Sequence, residues 1–185
     1  MQLIRENTSE RIHIMKEHIN VTDYANQITS ALSSGGILLN TMADKFNTMV
    51  IGWAHPGRLW NRPTFLIYVR QSRFTKGQLD KTGKFTISVP LEKPDSAINK
   101  ICGTQSGRDI DKVKAAGLTL EDAEVNGVPG IREYPLTIEC RVLYSQDQIL
   151  EMIPKDIINR FYSGEESGDF HTMYVGEIIG SYIIR

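Results

Sequence analysis

Alternation of apolar and polar residues predicts that the chain is built mainly from β-strands. Residues 136–144 give the clearest pattern, because Leu136, Ile138, Cys140 and Val142 fall on one face of an extended chain. The segments with a comparable strand pattern are residues 37–39, 47–53, 64–70, 84–89 and 172–184. β-Branched and aromatic residues are frequent in these segments, as is typical of strands.

Short helices are predicted between the strands. They run over residues 22–34, from a cap at Thr75, from Asp95 to Cys102, from Asp109 to Ala116, and over residues 155–162. Thr75 and Gln78 have the spacing of a capping box. Gly35, Gly103 and Gly117 stand where three of these helices are expected to end, since glycine readily adopts the backbone conformation that terminates a helix.

The order of these elements predicts the architecture. About six strands and these few short helices, without regular strand–helix alternation, disfavour a doubly wound sheet. They favour a small antiparallel barrel, mostly β with peripheral helices. The segment from His55 to Arg62 is predicted to be a loop, and residues 172–184 a largely buried strand. We expect one domain over residues 1–185, with residues 1–21 as an N-terminal extension whose packing the pattern does not indicate.

Composition and charge exclude several classes of protein. The chain has 185 residues, of which 21 are Lys or Arg and 22 are Asp or Glu, so its formal net charge is −1. A protein that relies on a strong basic field to hold nucleic acid is therefore not expected. The charged N-terminus does not resemble a signal peptide, and no apolar run reaches the ~20 residues of a membrane span. We expect a cytoplasmic protein without a membrane partner.

Metal and hydrolase chemistry have no support in the sequence. Cys102 and Cys140 lie far apart and lack a CxxC partner, so we expect reduced, buried thiols. His13, His18 and His55 are expected at the surface or in loops, and no histidine pair has the spacing of a zinc site. Glu165 and Glu166, in a turn rich in Gly and Ser, are expected to be solvated rather than an acid–base pair. No GxSxG motif or P-loop is present.

The segment Arg70–Thr75 (RQSRFT) is the strongest candidate for a binding site, because it leaves a strand and enters a helix. A helix N-terminus presents free N–H groups and the positive end of the helix dipole. Ser72 and Thr75 add hydroxyl groups, and Arg70 and Arg73 add charged donors. These features predict a site for a phosphate group; a capped helix with solvated arginines is the alternative.

Three further segments allow both a structural and a binding role. Residues 47–53 (NTMVIGW) are either a strand leaving a turn or a strand edge whose amides meet a planar heterocycle. Residues 102–109 (CGTQSGRD) either connect two helices or bring a backbone of small residues close to a ligand. His171, beside the last strand, is either a proton donor near neutral pH or a structural histidine.

Taken in order, five segments resemble one known family. They read NTMxIGW, YVRxSRFT, FTISVP, CGxxSGRD and HTMYVGEI, and they are similar to segments of the flavin reductase-like proteins, in particular the flavoredoxin type. The similarity runs from about Leu38 to about Ile179. It implies an FMN-binding split β-barrel that forms a homodimer, with the flavin at or near the dimer interface.

The resemblance also implies which residues contact the cofactor. The isoalloxazine edge is implied to meet the backbone around Asn47, Thr48, Met49 and Val50. The phosphate is implied to bind Arg70, Ser72, Arg73 and Thr75. A loop containing Gly103, Ser106 and Arg108 is implied to close over part of FMN, and His171 to lie near the flavin or the entry of a nicotinamide. No metal is implied.

This sequence departs from the family pattern at two of these positions. Val50 replaces a threonine that often precedes the tryptophan, so a side-chain hydroxyl toward the flavin is lost while a backbone contact survives. Gln71 stands where a proline is frequent between the arginine and the serine, which loosens the turn.

The function implied by the resemblance is an FMN-binding oxidoreductase that passes electrons from NAD(P)H through the flavin to a small molecule or a redox protein. The alternative is an FMN-binding electron carrier or redox sensor without NAD(P)H activity. A third possibility, from a different class, is a structural dimerisation domain with an empty pocket.

Overall fold

The computed structural model describes residues 15–164 and 167–185. Most of the predicted N-terminal extension, including His13, and the Glu165–Glu166 pair lie outside the described residues. The described strands are β1 (Lys16–His18), β2 (Ile37–Met42), β3 (Phe46–Ile51), β4 (Ala54–Leu59), β5 (Arg62–Arg70), β6 (Lys84–Val89), β7 (Leu120–Glu121), β8 (Gly130–Ile131), β9 (Leu136–Asp147) and β10 (His171–Ile184). Eight of them form one antiparallel sheet in the order β3-β2-β6-β9-β10-β5-β4, with β1 also paired to β10.

The main sheet curls into a split barrel, which confirms the predicted fold class. Within the described ranges, β3 and β4 at the two ends of the strand order do not pair with each other, so the barrel stays open. β7 and β8 form a separate two-stranded sheet. β9 and β10 pair along nearly their whole length, with register shifts at Val175/Gly176 and Ile178/Gly180. Such irregularities bend long strands, as barrel curvature requires.

Helices lie between the strands along the chain. They are α1 (Ala25–Ser34), α2 (Phe74–Thr82), α3 (Ser96–Thr104), α4 (Lys112–Ala116) and α5 (Lys155–Phe161). Short 3₁₀ turns precede α1 at Val21–Tyr24 and α5 at Leu150–Met152. No helix among the residues described here has the length and apolar character needed to cross a membrane.

The barrel interior is apolar and close-packed. Fully buried side chains from five strands meet there, among them Leu39, Phe65, Ile67, Phe85, Ile87 and Ile138. Gly176 allows the closest approach in this core, because a Cβ at this position would lie 2.4 Å from Cζ of Phe85. As predicted, β10 is largely buried, and none of its residues is fully exposed.

The predicted loop from His55 to Arg62 is wrong, because most of it is strand β4. Trp60 and Asn61 have positive φ angles of 50° and 59° and form a two-residue turn that pairs β4 with β5. Positive φ at both positions is the geometry of a tight hairpin. Pro56, which cannot donate to a ladder, is tolerated since β4 is the edge strand.

Some helix ends are predicted correctly from the sequence and others are not. The Asp95 carboxylate caps α3 as expected, accepting from the N–H groups of Ala97 and Ile98 at 2.7 and 3.1 Å. Gly117 ends α4 in the left-handed conformation, also as expected. The cap of α4 is Asp111 rather than Asp109. α3 continues past the predicted stop at Gly103, because the Gln105 N–H still donates to the Ile101 carbonyl.

The predicted cap at Thr75 is wrong as well. The residue at the N-cap of α2 is Arg73, whose side chain makes no capping bond, and Thr75 lies inside the first turn. Its hydroxyl accepts a hydrogen bond from the Asn47 side chain at 2.8 Å instead. The capping-box spacing failed because this buried contact with β3 takes the hydroxyl.

Candidate functional site

The turn between β5 and α2 opens onto a cavity of about 280 Å³. The turn closes through the Arg73 N–H, which donates to the Arg70 carbonyl at 3.1 Å, and α2 then begins at Phe74. The cavity is lined by Asn47, Met49, Ser72, Arg73, Phe74, Thr75, Cys102, Gly103, Thr104, Gln105, Ser106, Gly107, Arg108 and Lys112. The structure thus brings together, at one wall, predicted residues from three distant segments. We call this cavity the cationic cavity.

The charge of this lining is one-sided. Arg73, Arg108 and Lys112 contribute three cationic side chains, and none of the described residues at this wall is Asp or Glu. Arg108 is fixed in part by its guanidinium, which donates to the Ser72 carbonyl at 3.0 Å and lies over the Phe74 ring. A cavity wall with three cations and the N-terminus of α2 has the chemistry of an anion site.

Lys112 is the residue that sequence reasoning missed. Its side chain is buried, and Nζ donates to the carbonyl oxygens of Thr48 and Cys102, both at 2.9 Å. Burial lowers the pKa of Lys112, and the nearby charge of Arg73 lowers it further. A lysine at the start of a short helix is normally solvated, so only the fold could show that it joins β3 to α3 beneath the cavity.

Asn47 connects β3 to the start of α2. Its Nδ2 donates to Thr75 Oγ1, whereas its Oδ1 is buried without a hydrogen-bond partner among the described residues. A Cβ placed on Gly107 would lie only 2.0 Å from that oxygen. Gly107 is therefore required where the loop after α3 passes over Asn47. An unpaired buried acceptor at a cavity wall is costly unless a ligand or water pairs with it.

Two predicted phosphate ligands have partners within the chain. Ser72 donates both its N–H and its hydroxyl to the Asp169 carboxylate, at 2.8 and 2.7 Å. The Arg70 guanidinium donates to the carbonyl oxygens of Asp169 and Phe161, both at 3.0 Å. Arg70 does not line the cationic cavity; it lines a second, adjoining cavity together with Arg73.

A second cavity, of about 210 Å³, adjoins the first and shares Met49 and Arg73 with it. Its lining consists of Met49, Val50, Ile51, Gly52, Trp53, Tyr68, Arg70, Arg73 and His171. The Trp53 ring is 38% exposed, and its centroid lies 4.5 Å from that of His171 with 37° between the planes. We call this the aromatic cavity. Aromatic rings beside the end of β3 suit a flat heterocycle.

The remaining predicted residues of β3 and the glycine-rich loop lie around these two cavities. Val50 packs its Cβ 3.5 Å from where a side chain on Gly103 would begin. Thr48 is buried, and its hydroxyl has no hydrogen-bond partner in the described part of the chain. The Ser106 hydroxyl oxygen accepts from the Arg108 N–H at 3.1 Å, and this contact shapes the loop.

His171 begins β10 and is only 7% exposed. Its Nδ1 lies 2.8 Å from the Tyr162 hydroxyl. Burial lowers the pKa of His171 to about 4, and the charges of Arg70 and Arg73 contribute, while Asp169 acts in the opposite direction. The histidine is therefore neutral at pH 7, and the expectation that it donates a proton near neutral pH is not supported.

Known proteins share this sequence pattern and fold. Residues 29–184 match the family model described as flavin reductase like domain. A protein of Archaeoglobus fulgidus, named only as uncharacterized, is 29% identical over 164 residues, which cover 88% of this chain and 76% of that protein.

Solved structures are similar at lower identity. Flavoredoxin of Desulfovibrio vulgaris (Miyazaki F) gives a TM-score of 0.61 at 23% identity, over 80% of this chain and 68% of that one. An FMN-binding domain of a flavin reductase-like enzyme from Shewanella baltica OS155 gives 0.60 at 15% identity, over 92% and 78%. At these identities the likeness concerns the fold.

Proposed function

The chain belongs to the flavin reductase-like domain family, and we propose that it binds FMN and passes electrons from NAD(P)H through the flavin to an acceptor. Family membership makes it a flavin-related oxidoreductase. The observation that carries the proposal is the pair of adjoining cavities, one cationic and one aromatic, which share Met49 and Arg73. FMN has the same two parts, a phosphate and a flat ring system.

The cationic cavity fits the phosphate. A phosphate monoester carries up to about two negative charges at pH 7 and has strong acceptor oxygens. Arg73, Arg108 and Lys112 supply opposite charge at a wall that has no acidic residue among its described members. Thr75 can add its hydroxyl proton, because that hydroxyl accepts from Asn47 and leaves its own hydrogen free. Ser72 can take part only if it exchanges its bonds to Asp169.

The aromatic cavity fits the isoalloxazine ring. We assign the backbone of Asn47, Thr48, Met49 and Val50 to the ring edge, and the loop containing Gly103 and Ser106 to covering the cofactor. Unpaired buried oxygens on the Asn47 and Thr48 side chains, in the first half of β3, support a polar partner beside that part of the strand. Bound FMN supplies hydride and electron transfer; the protein supplies position and electrostatics.

The resemblance to the flavin reductase-like family also supports a homodimer, with a small molecule or a redox protein as electron acceptor. Light scattering on the purified protein measures the subunit number directly, and a monomer at all concentrations would contradict the dimer.

An anaerobic experiment tests the proposed reaction. The protein is mixed with one equivalent of FMN, NADH or NADPH is added, and the yellow flavin absorbance is followed. Bleaching well above the rate with free FMN supports a flavin reductase and ranks the two nicotinamides. A bound flavin that stays oxidised contradicts NAD(P)H activity and supports an electron carrier or sensor. If FMN binds more weakly than high micromolar to a folded dimer, the chain is a structural domain.

A further inference from the structure

Two side chains outside the two cavities, Tyr162 and Gln148, form a continuous hydrogen-bonded chain with His171. The Tyr162 oxygen lies 2.8 Å from Gln148 Oε1 and 2.8 Å from His171 Nδ1. Tyr162 is buried just after α5, and Gln148 follows β9 directly.

The orientation of Gln148 is fixed by a backbone donor. The His171 N–H donates to Gln148 Oε1 at 3.1 Å, while the Gln148 N–H donates to the His171 carbonyl at 3.0 Å. If the side-chain amide were rotated by half a turn, its NH₂ group would face the His171 N–H, and two donors would oppose each other. Oε1 is therefore the atom that faces both His171 N and Tyr162.

The proton positions then follow along the chain. Gln148 Oε1 carries no hydrogen, so the Tyr162 hydroxyl must donate its only proton to it. The Tyr162 oxygen can then only accept in its contact with His171, and the proton of that contact must lie on Nδ1. The reverse arrangement would leave two bare oxygens 2.8 Å apart, which is repulsive.

In a neutral ring, a proton on Nδ1 leaves a lone pair on Nε2. This second nitrogen has no hydrogen-bond partner among residues 15–164 and 167–185, and the ring lines the aromatic cavity. The groups that face His171 are Arg70 on β5, Arg73 at the cap of α2, Asp169 before β10, and Tyr162 after α5. Two of them are cations, and with burial they favour the neutral ring at pH 7.

We propose that Tyr162 and Gln148 are positioning residues that hold His171 with its proton on Nδ1, so that Nε2 presents an acceptor to the aromatic cavity. The ligand class that this acceptor selects is a group with an N–H or O–H donor, such as a neutral amide. Only the identity of the occupant rests on the proposed function; the proton assignment stands on the chain's own hydrogen bonds.

Nitrogen-15 NMR of the histidine rings in the protein without added flavin tests the assignment. The His171 signals are identified by their loss in His171→Asn. At about pH 7 we expect a neutral ring with a protonated Nδ1 and an unprotonated Nε2. A proton on Nε2, in either the other neutral tautomer or the charged ring, would overturn the proposal.

The variant Tyr162→Phe tests the positioning role, since it removes the acceptor for the Nδ1 proton while keeping the ring. We expect the His171 signals to shift toward a mixture of tautomers. Tyr144→Phe is the matched control, because within the described ranges the Tyr144 hydroxyl bonds only Gln146, at an exposed site, and the His171 signals of this variant should match wild type.

Two results keep this inference separate from the proposed function. If Tyr162→Phe does not fold, the wild-type spectrum alone decides the tautomer. If FMN fails to bind the wild-type protein, the proposed function is contradicted while the tautomer assignment can still hold. If FMN binds and the proton lies on Nε2, the tautomer assignment is contradicted while the proposed function can still hold. Unchanged His171 signals in a folded Tyr162→Phe would remove Tyr162 and Gln148 from the positioning role.

Discussion

At the scale of single residues, the site depends on cations at a cavity wall and on polar atoms that have no partner inside the protein. Lys112 is held by two backbone carbonyls, and the unpaired Asn47 Oδ1 lies against the loop at Gly107. An exposed arginine and a buried lysine contribute differently, because the first keeps most of its hydration while the second has already lost it.

Replacement of Arg73 is expected to separate phosphorylated from unphosphorylated flavin. In Arg73→Ala, the loss of a charge-assisted hydrogen bond of about 1.5–3 kcal/mol corresponds to an FMN affinity roughly tenfold to a hundredfold weaker. Riboflavin, which has no phosphate, should lose little. Fluorescence titration of both flavins measures the difference.

Arg58→Ala removes the same charge from an exposed residue of β4 that lines neither cavity, and it should leave both affinities unchanged. Equal losses for FMN and riboflavin in Arg73→Ala would contradict the phosphate assignment.

Gly107 should tolerate no side chain. Because a Cβ there would lie 2.0 Å from Asn47 Oδ1, Gly107→Ala must displace Asn47 and its bond to Thr75, at a cost of about 1–3 kcal/mol for an overpacked site. We expect lower stability in urea and weaker FMN binding. Gly77→Ala is the control, since nothing lies within 4 Å of its Cβ and alanine favours the helix. Wild-type stability and FMN affinity of Gly107→Ala would contradict the view that a side chain cannot be accommodated at this position.

The depressed pKa of His171 predicts a specific dependence of stability on pH. Since the pKa of His171 is about 4 in the folded protein and 6.5 in an unperturbed histidine, the unfolded chain binds a proton that the folded protein does not between these values. The free energy of unfolding therefore falls as the pH falls from about 6.5 toward about 4. Urea unfolding at about pH 7 and about pH 5 measures this.

His171→Gln should flatten this part of the profile, whereas His55→Gln, at an exposed position, should not. Asp80 does not affect this comparison. Its pKa lies below 3.8 in the folded protein, so its protonation changes the free energy of unfolding only at a pH below about 3.8. The same slope in His171→Gln as in wild type would contradict a buried neutral histidine.

At the scale of elements, one buried carboxylate fixes a long connection to the barrel. Glu139 on β9 is fully buried and accepts from the N–H groups of Glu124, Val125 and Asn126 at 2.6, 2.9 and 2.7 Å. Three backbone donors on one carboxylate compensate its burial without a cation. The segment between β7 and β8 therefore packs on the barrel through this carboxylate, together with Asn126, whose Nδ2 donates to the Phe85 carbonyl at 2.8 Å.

Glu139→Gln should be strongly destabilising. The amide NH₂ would face backbone donors, and bonds to a charged acceptor worth about 1.5–3 kcal/mol each would be lost or weakened. We expect a loss of at least about 2 kcal/mol in the free energy of unfolding. Glu177→Gln, which breaks ion pairs with Arg62 and Arg141 near solvent, should cost far less. Equal effects of the two changes would contradict the role given to Glu139.

The elements also show where sequence patterns succeed and fail. Residues 136–144 alternate cleanly and lie within β9 as predicted, and residues 136–140 are buried on both faces of the strand. β4 was missed because Trp60 and Asn61 lack the Gly that usually marks a tight hairpin, and because Pro56 suggested a loop. Thr75 had the right spacing for a cap, yet a contact from β3 took its hydroxyl.

At the scale of the whole molecule, the site joins segments that are far apart in the chain. The end of β3, the β5–α2 turn, the loop after α3 and the start of β10 meet at two cavities. Sequence reasoning identified each segment, since each carries small, hydroxyl or charged residues at an element boundary. It could not find Lys112, or the Asp169 bonds to Ser72, because these depend on how the barrel brings separate elements into contact.

The measurement that tests the central claim most directly is the affinity of the wild-type protein for FMN compared with riboflavin. If the cationic cavity holds the phosphate, FMN should bind at least about tenfold more tightly, a difference of about 1.4 kcal/mol, and the advantage should shrink at high salt. Equal affinities for the two flavins, or no binding of either, would contradict the account of this molecule as an FMN-binding oxidoreductase.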